Sequence, residues 1–327
     1  MYRTLVIARH TFVEAIVQPI YALLLALGGV ILCIFGLLPF FTLGEDTIMF
    51  KSVGLDVILL IFAVLPFFTL GEDTIMYKSV GLDVLLLLVL IPTLFATSKS
   101  IYDEIEDRTM LTLMSKPVKK WEVLLGKYLG IVLSAALAVV VLGTMLILAT
   151  MYRIPGDYQL QANALDDRIL KQISDLRWMH FVSLLPSLVL VWLQVSVLAA
   201  IGVALSTRFS LVVNLPTVIL IYIAGNLTRF LPTDQSPLMK PVVWLVKTIV
   251  PYLSTFDLRS KTIYHVIALR DTQFWPRPGS IQQDVVYPGQ IWAYVGIATL
   301  YGIAYTVFAL SAGMWLFKSR ELGGAEG

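Results

Sequence analysis

Apolar residues along this chain gather into long blocks separated by short polar links. A helix needs roughly 20 mostly apolar residues to cross the hydrocarbon core of a bilayer. Six segments reach or approach that length: 21–41, 82–97, 128–151, 181–205, 210–228 and 291–317. The second is the shortest. The pattern predicts an all-α membrane protein with six transmembrane helices in a single domain spanning 18–327. Residues 1–17 read as a separate unit. At 100° per residue, Tyr2, Leu5, Val6, Phe12, Val13 and Ile16 share one face, with Arg3, His10, Thr11 and Glu14 on the other. That describes an amphipathic helix lying in the membrane interface before the first span. Arg9 falls inside its apolar face, where a long side chain snorkels to the headgroups. Leu165, Ile169, Ile173 and Leu176 predict a further amphipathic helix after the third span. Val242–Tyr252, bounded by Pro241 and Pro251, predicts a short re-entrant or surface helix before the last.

Composition supports the membrane assignment. The chain is 58% hydrophobic and 14% charged, against about 45–50% and 25% in soluble domains. The net charge of +2 is too small to suggest a nucleic-acid partner. Cys33 stands alone, so no internal disulfide is possible, and His10, His180 and His265 lie far apart without metal-spaced neighbours. About 15 mixed residues precede the first apolar block, unlike a cleaved signal peptide. Lys and Arg near span ends favour the cytoplasm. Arg3 and Arg9, the link after the second span, Arg208, and Lys318 with Arg320 all fall on one side if there are six crossings. Both termini are then cytoplasmic.

One stretch is duplicated. Ile31–Val57 and Ile58–Val84 are near copies 27 residues apart, differing only at Cys33/Leu60, Gly36/Ala63, Leu37/Val64 and Phe50/Tyr77. Between the polar stretches 44–56 and 71–83 lies Val57–Leu70, about 14 mostly apolar residues interrupted by Pro66. It is too short for an ordinary span and suits a non-crossing re-entrant or interfacial segment. If it crossed, the basic link downstream would leave the cytoplasm, against the positive-inside rule.

That link carries the candidate chemistry. From Ser98 to Gly130 it reads SKSIYDEIEDRTMLTLMSKPVKKWEVLLGKYLG, with six Lys/Arg and five Asp/Glu around a short apolar helix. Acidic residues, Thr109, the apolar helix, Ser-Lys-Pro-Val, basic residues and Leu-Leu-Gly-Lys-Tyr-Leu-Gly together resemble the cytoplasmic signature of ABC-2 type transporter permeases. The resemblance is closest to the subgroup associated with multicopper-enzyme maturation. Arg9–Glu14, Leu253–Arg259 and Phe317–Leu322 are similar to other parts of that family in the same order. Arg108 departs from it, standing where many members have Gly, and the duplication is not part of the pattern.

The resemblance implies the permease subunit of an ATP-binding-cassette exporter in a bacterial inner membrane. Such a subunit pairs with a second permease, as a homodimer or otherwise, and is driven by a separate ATPase that holds the ATP and Mg. Segment 98–127 would be the coupling segment. By resemblance, Glu104, Glu106, Arg108, Thr109, Lys116 and Pro117 would carry docking, charges at a wet rim supplying register and the helix supplying area. No phosphate-binding loop occurs; GKYLG at 126–130 lacks the spacing and context. The chain is therefore expected to be non-catalytic, with no cofactor of its own. Two rivals are weighed against this. An ion-coupled carrier usually keeps a buried carboxylate or histidine on its path, and the centres of the six segments lack one. A non-transporting scaffold does not account for the elaborate 98–130 link.

Overall fold

Inside a bilayer no water is available to backbone N–H and C=O groups, so a spanning segment must bond them internally or within a closed barrel. The computed structural model takes the first course. It describes residues 2–37, 73–106, 118–157, 167–228, 250–257 and 288–318, and among these every regular element is helical. In chain order they are α1 (Tyr2–Val17), α2 (Pro19–Leu37), α3 (Asp73–Ser100), α4 (Tyr102–Glu106), α5 (Lys120–Asp157), α6 (Asp167–Leu205), α7 (Leu211–Leu227) and α8 (Pro288–Lys318), with a 3₁₀ turn at Leu253–Phe256 before α8.

The count of six crossings is not reached on length. Four stretches are long and apolar enough to cross: Tyr77–Glu106, Lys120–Tyr152, His180–Leu205 and Ile291–Lys318. A fifth is available if α1 and α2 act as one span, bent by 61° at their junction. With its 17 residues, α7 extends only about 25 Å against a hydrocarbon thickness of about 30 Å. The turn at Leu253 sits over its far end: a Cβ on Gly225 would lie 2.7 Å from the Pro251 carbonyl oxygen and 2.7 Å from Leu253 Cγ.

Three elements are longer than their apolar blocks. The second span, expected over 82–97, begins at Asp73, because the polar end of the duplicated unit is helical rather than a loop. The third begins at Lys120 instead of 128. The amphipathic helix expected after the third span is continuous with the fourth, forming one 39-residue helix. The first copy beyond Leu37, segment 57–70 and residues 242–249 lie outside the described residues, as do both termini beyond Tyr2 and Lys318.

The core is built by α3, α5 and α6, whose buried side chains form one continuous cluster. Contacts fix the directions of the helices. Thr97 of α3 approaches Gly202 of α6, and Ala204 of α6 approaches Gly313 of α8, at positions where a Cβ on either glycine would clash. Thus α3, α6 and α8 run the same way. Tyr21 of α2 donates to the Ser134 carbonyl of α5 at 2.9 Å, and Gly28 lies against Leu142, so α2 and α5 run together in the opposite direction. Asn214, fully buried near the start of α7, donates to the Gly202 carbonyl at 2.9 Å and fastens α7 to α6. This arrangement brings the end of α3, α4, the start of α5 and the end of α8 together at one end of the bundle. Outward faces such as Ile297, Leu300, Ile303 and Val307 of α8 are exposed and apolar, as lipid contact requires.

Candidate functional site at the start of α5

The first three turns of α5 are where the other elements converge. The helix starts after Lys119, whose backbone N–H donates to Glu122 Oε2 at 3.0 Å, half of a capping box. The next residue, Lys120, donates through Nζ to the Phe317 carbonyl at 3.1 Å and lies 5.0 Å from the centroid of the Phe317 ring. A basic side chain thereby satisfies a carbonyl at the C-terminal end of α8, which has no partner within its own helix.

Gly126 and Gly130 lie one turn apart on the face that meets α1. A Cβ on Gly126 would stand 2.8 Å from Ile7 Cβ and 3.0 Å from the Thr4 carbonyl oxygen. On Gly130 it would stand 2.5 Å from the Ala8 oxygen and 2.7 Å from Thr11 Cβ. The α1 residues buried along this seam are small: Thr4, Ala8, Thr11 and Ala15. Small residues let two backbones approach closely, the usual means of helix association where lipid removes the hydrophobic driving force. The glycines of GKYLG therefore serve packing. Thr11, assigned from periodicity to the polar face of α1, is buried against α5, whereas Tyr2, Leu5, Val6 and Val13 point outward. Arg9 and Glu14 are exposed on α1, Glu14 lying 3.9 Å from His10.

Between the two glycines, Lys127 reaches the short helix α4. Its Nζ lies 2.7 Å from Glu104 Oε1; the lysine side chain is 3% exposed and the glutamate 28%. Of the residues expected to dock a partner, Glu104 is thus held in this ion pair, and Glu106 is exposed at the end of α4. Arg108, Thr109, Lys116 and Pro117 lie outside the described residues. Ile101 is fully buried and Ile105 packs on the core, so α4 is tied down by both apolar and ionic contacts. Sequence reasoning missed Lys127 as a partner of Glu104 and missed the seam. The available signal was glycine at i and i+4 opposite small residues at 4, 8, 11 and 15.

A second polar layer lies towards the opposite end of the bundle. Lys78 is fully buried and donates to Ser183 Oγ at 3.2 Å, Ser183 in turn donating to the His180 carbonyl at 2.8 Å. Tyr77 donates to the Leu32 carbonyl of α2 at 2.9 Å. Asp83 and His180 are buried as well. The expectation that the centres of the segments lack ionisable residues does not reach this layer: Lys78 and His180 stand at the ends of their spans, with Asp83 a short way further in. Taking the second span to start at 82 leaves Lys78 in a loop. Among the described residues no group of three or more His, Cys, Asp or Glu is placed to hold a metal ion.

A helical bundle with several elements long and apolar enough to cross a membrane, and a charged helical link tied into one end, defines a multi-pass membrane protein. Residues 69–210, from just before α3 to the link before α7, match the model of a family described as ABC-2 family transporter protein, and this part of the chain is an ABC-2 type permease domain. No curated protein and no solved structure matches the chain.

Proposed function

We propose that the chain is the membrane subunit of an ATP-binding-cassette exporter in a bacterial inner membrane. It works as a pair of permeases, with its termini and the 98–127 segment on the cytoplasmic side. A separate ATPase subunit, which holds ATP and Mg, docks on that segment and drives transport. The family match at 69–210, which brackets the whole segment, is the observation that carries this reading. The clustering of α1, α4 and the ends of α3 and α8 around the start of α5 supports it, because force applied at the link meets a braced set of helices. Purified chain should hydrolyse no ATP alone and should form an active complex, two copies of each subunit, with its ATPase. Robust hydrolysis by the isolated chain would refute the proposal.

One observation favours an ion-coupled carrier instead, namely the buried Lys78, Asp83 and His180, since intramembrane ionisable residues often mark ion paths. Proteoliposomes holding the chain alone would then dissipate an imposed pH gradient, read with an entrapped pH-sensitive dye. A maintained gradient excludes that reading.

A further inference from the structure

We infer that Lys127 is a positioning residue that latches the short helix α4 to the start of α5 and so sets the angle at which the 98–127 segment meets its partner. The inference rests on the docking role proposed for that segment, and it concerns a residue that none of the docking expectations includes. Five residues long, α4 follows α3 after Ile101 alone, the Ile105 N–H donating to the Ile101 carbonyl at 3.1 Å, so Tyr77–Glu106 is one nearly continuous helical stretch whose last turn leads into the rest of the segment. Beyond that continuity, Ile101 and Ile105 pack on the core and Glu104 pairs with Lys127 at 2.7 Å. Lys127 is in turn immobilised: it is 3% exposed and sits between the two glycines whose faces are closed by α1. One turn before the first of them, Glu122 caps the helix, and Lys120 ties it to the end of α8. The latch therefore joins α4 to a part of α5 already braced by α1 and α8. An ion pair buried at one partner is a poor source of net stability, but it is well suited to fixing one register among several. Movement of α4 would pass through Lys127 to both neighbours.

The test uses the full chain in nanodiscs, with Cys33 replaced by Ser and spin labels at Glu106→Cys and Trp121→Cys, both exposed positions. The pulsed-EPR distance distribution between the labels should be narrow with Lys127 present, broaden in Lys127→Met, and narrow again in Lys127→Arg, which keeps the charge. Unlabelled versions of the same variants are then titrated with the cognate ATPase subunit. Lys127→Met should bind it about ten-fold more weakly, within the range usual for coupling between sites, and Lys127→Arg should bind nearly as wild type. An unchanged distance distribution in Lys127→Met overturns the latch. A broadened distribution with unchanged ATPase binding leaves the latch standing but overturns its part in docking, so the two failures are told apart. If Lys127→Met does not yield folded protein, Glu104→Gln carries the same comparison, because it keeps a hydrogen-bond acceptor for Lys127 while removing the charge.

Discussion

Adding one methyl group at Gly130 should loosen α1 from the bundle. In the structure that Cβ would lie 2.5 Å from the Ala8 carbonyl oxygen, 2.7 Å from Thr11 Cβ and 2.9 Å from the Phe12 nitrogen. Comfortable contacts between heavy atoms are about 3.5–4.0 Å, so α1 must retreat by roughly 1 Å. Two of the three neighbours are backbone atoms, so no rotamer change can relieve the overlap. Overpacking of this kind typically costs about 1–3 kcal/mol. Against that, alanine in place of glycine inside a helix gains roughly 0.5–1 kcal/mol. The predicted net loss for Gly130→Ala is centred on about 1 kcal/mol, within about 0–2.5 kcal/mol, and concentrated at the α1–α5 seam. Gly296 of α8 is the internal control: a Cβ there meets nothing within 4 Å, so Gly296→Ala should be neutral or stabilising by up to about 1 kcal/mol. Thermal melting of detergent-solubilised protein, followed by tryptophan fluorescence, reads the global effect. Trypsin nicking at Arg9, which is exposed on α1, reads the local one, since cleavage needs the helix to come free. Gly130→Ala should melt lower and nick faster, with Gly296→Ala doing neither. Equal behaviour of the two variants would show that the seam does not hold α1.

Three further predictions follow from the same packing. Removing the two members of the ion pair should have unequal effects, because the Lys127 side chain is 3% exposed and that of Glu104 28%. Glu104→Ala, which strands a buried ammonium, is expected to cost about 3–5 kcal/mol, and Lys127→Met only about 1–2 kcal/mol; a reversed order in melting experiments refutes the assignment. The duplication should be removable from one side more cheaply than from the other. Deleting 31–57 joins Val30 to Ile58 and keeps Tyr77, with Leu59 taking the place of Leu32 as its acceptor. Deleting 58–84 puts Phe50 at that position and loses a buried hydrogen bond, about 1 kcal/mol. Equal melting of the two deletions would contradict this. Finally, cysteines at Lys119 and Lys318, after replacement of Cys33, should be labelled from the same side of sealed vesicles, because Lys120 bonds Phe317 directly; labelling from opposite sides would invalidate the packing of α8.

Much of the bundle was legible from apolar blocks, since such a block can be buried in lipid only as a helix with its backbone bonded internally. The blocks at 128–151, 181–205 and 291–317 lie within helices α5, α6 and α8 for that reason. The lengths were not legible. Asp73–Gly81 reads as a polar link, yet it is helical because its polar side chains find partners across the bundle, Tyr77 on α2 and Lys78 on α6. Counting polar residues in one segment cannot reveal acceptors supplied by others. For the same reason the continuous α6 was read as two pieces, and the short α7 as a full span.

The candidate site divides along the same line. Its location in the 98–127 link was visible in the sequence, because a charge-dense stretch cannot be placed in hydrocarbon and must lie at a membrane face. Which charges are available there was not. Glu104 and Glu106 look equivalent along the chain, but tertiary structure exposes Glu106 and commits Glu104 to Lys127, 23 positions away. Similarly, periodicity sorts α1 by the polarity of its own side chains and assigns Thr11 to the polar, water-facing side. The folded chain buries Thr4, Ala8, Thr11 and Ala15 instead. In a bilayer the large side chains lose little by facing lipid, whereas close approach to Gly126 and Gly130 is open only to small ones. The sequence by itself determined that these segments are helices and which links must be wet. Only the tertiary structure decided which faces meet, because the value of a small residue or a charge depends on the atoms placed opposite it.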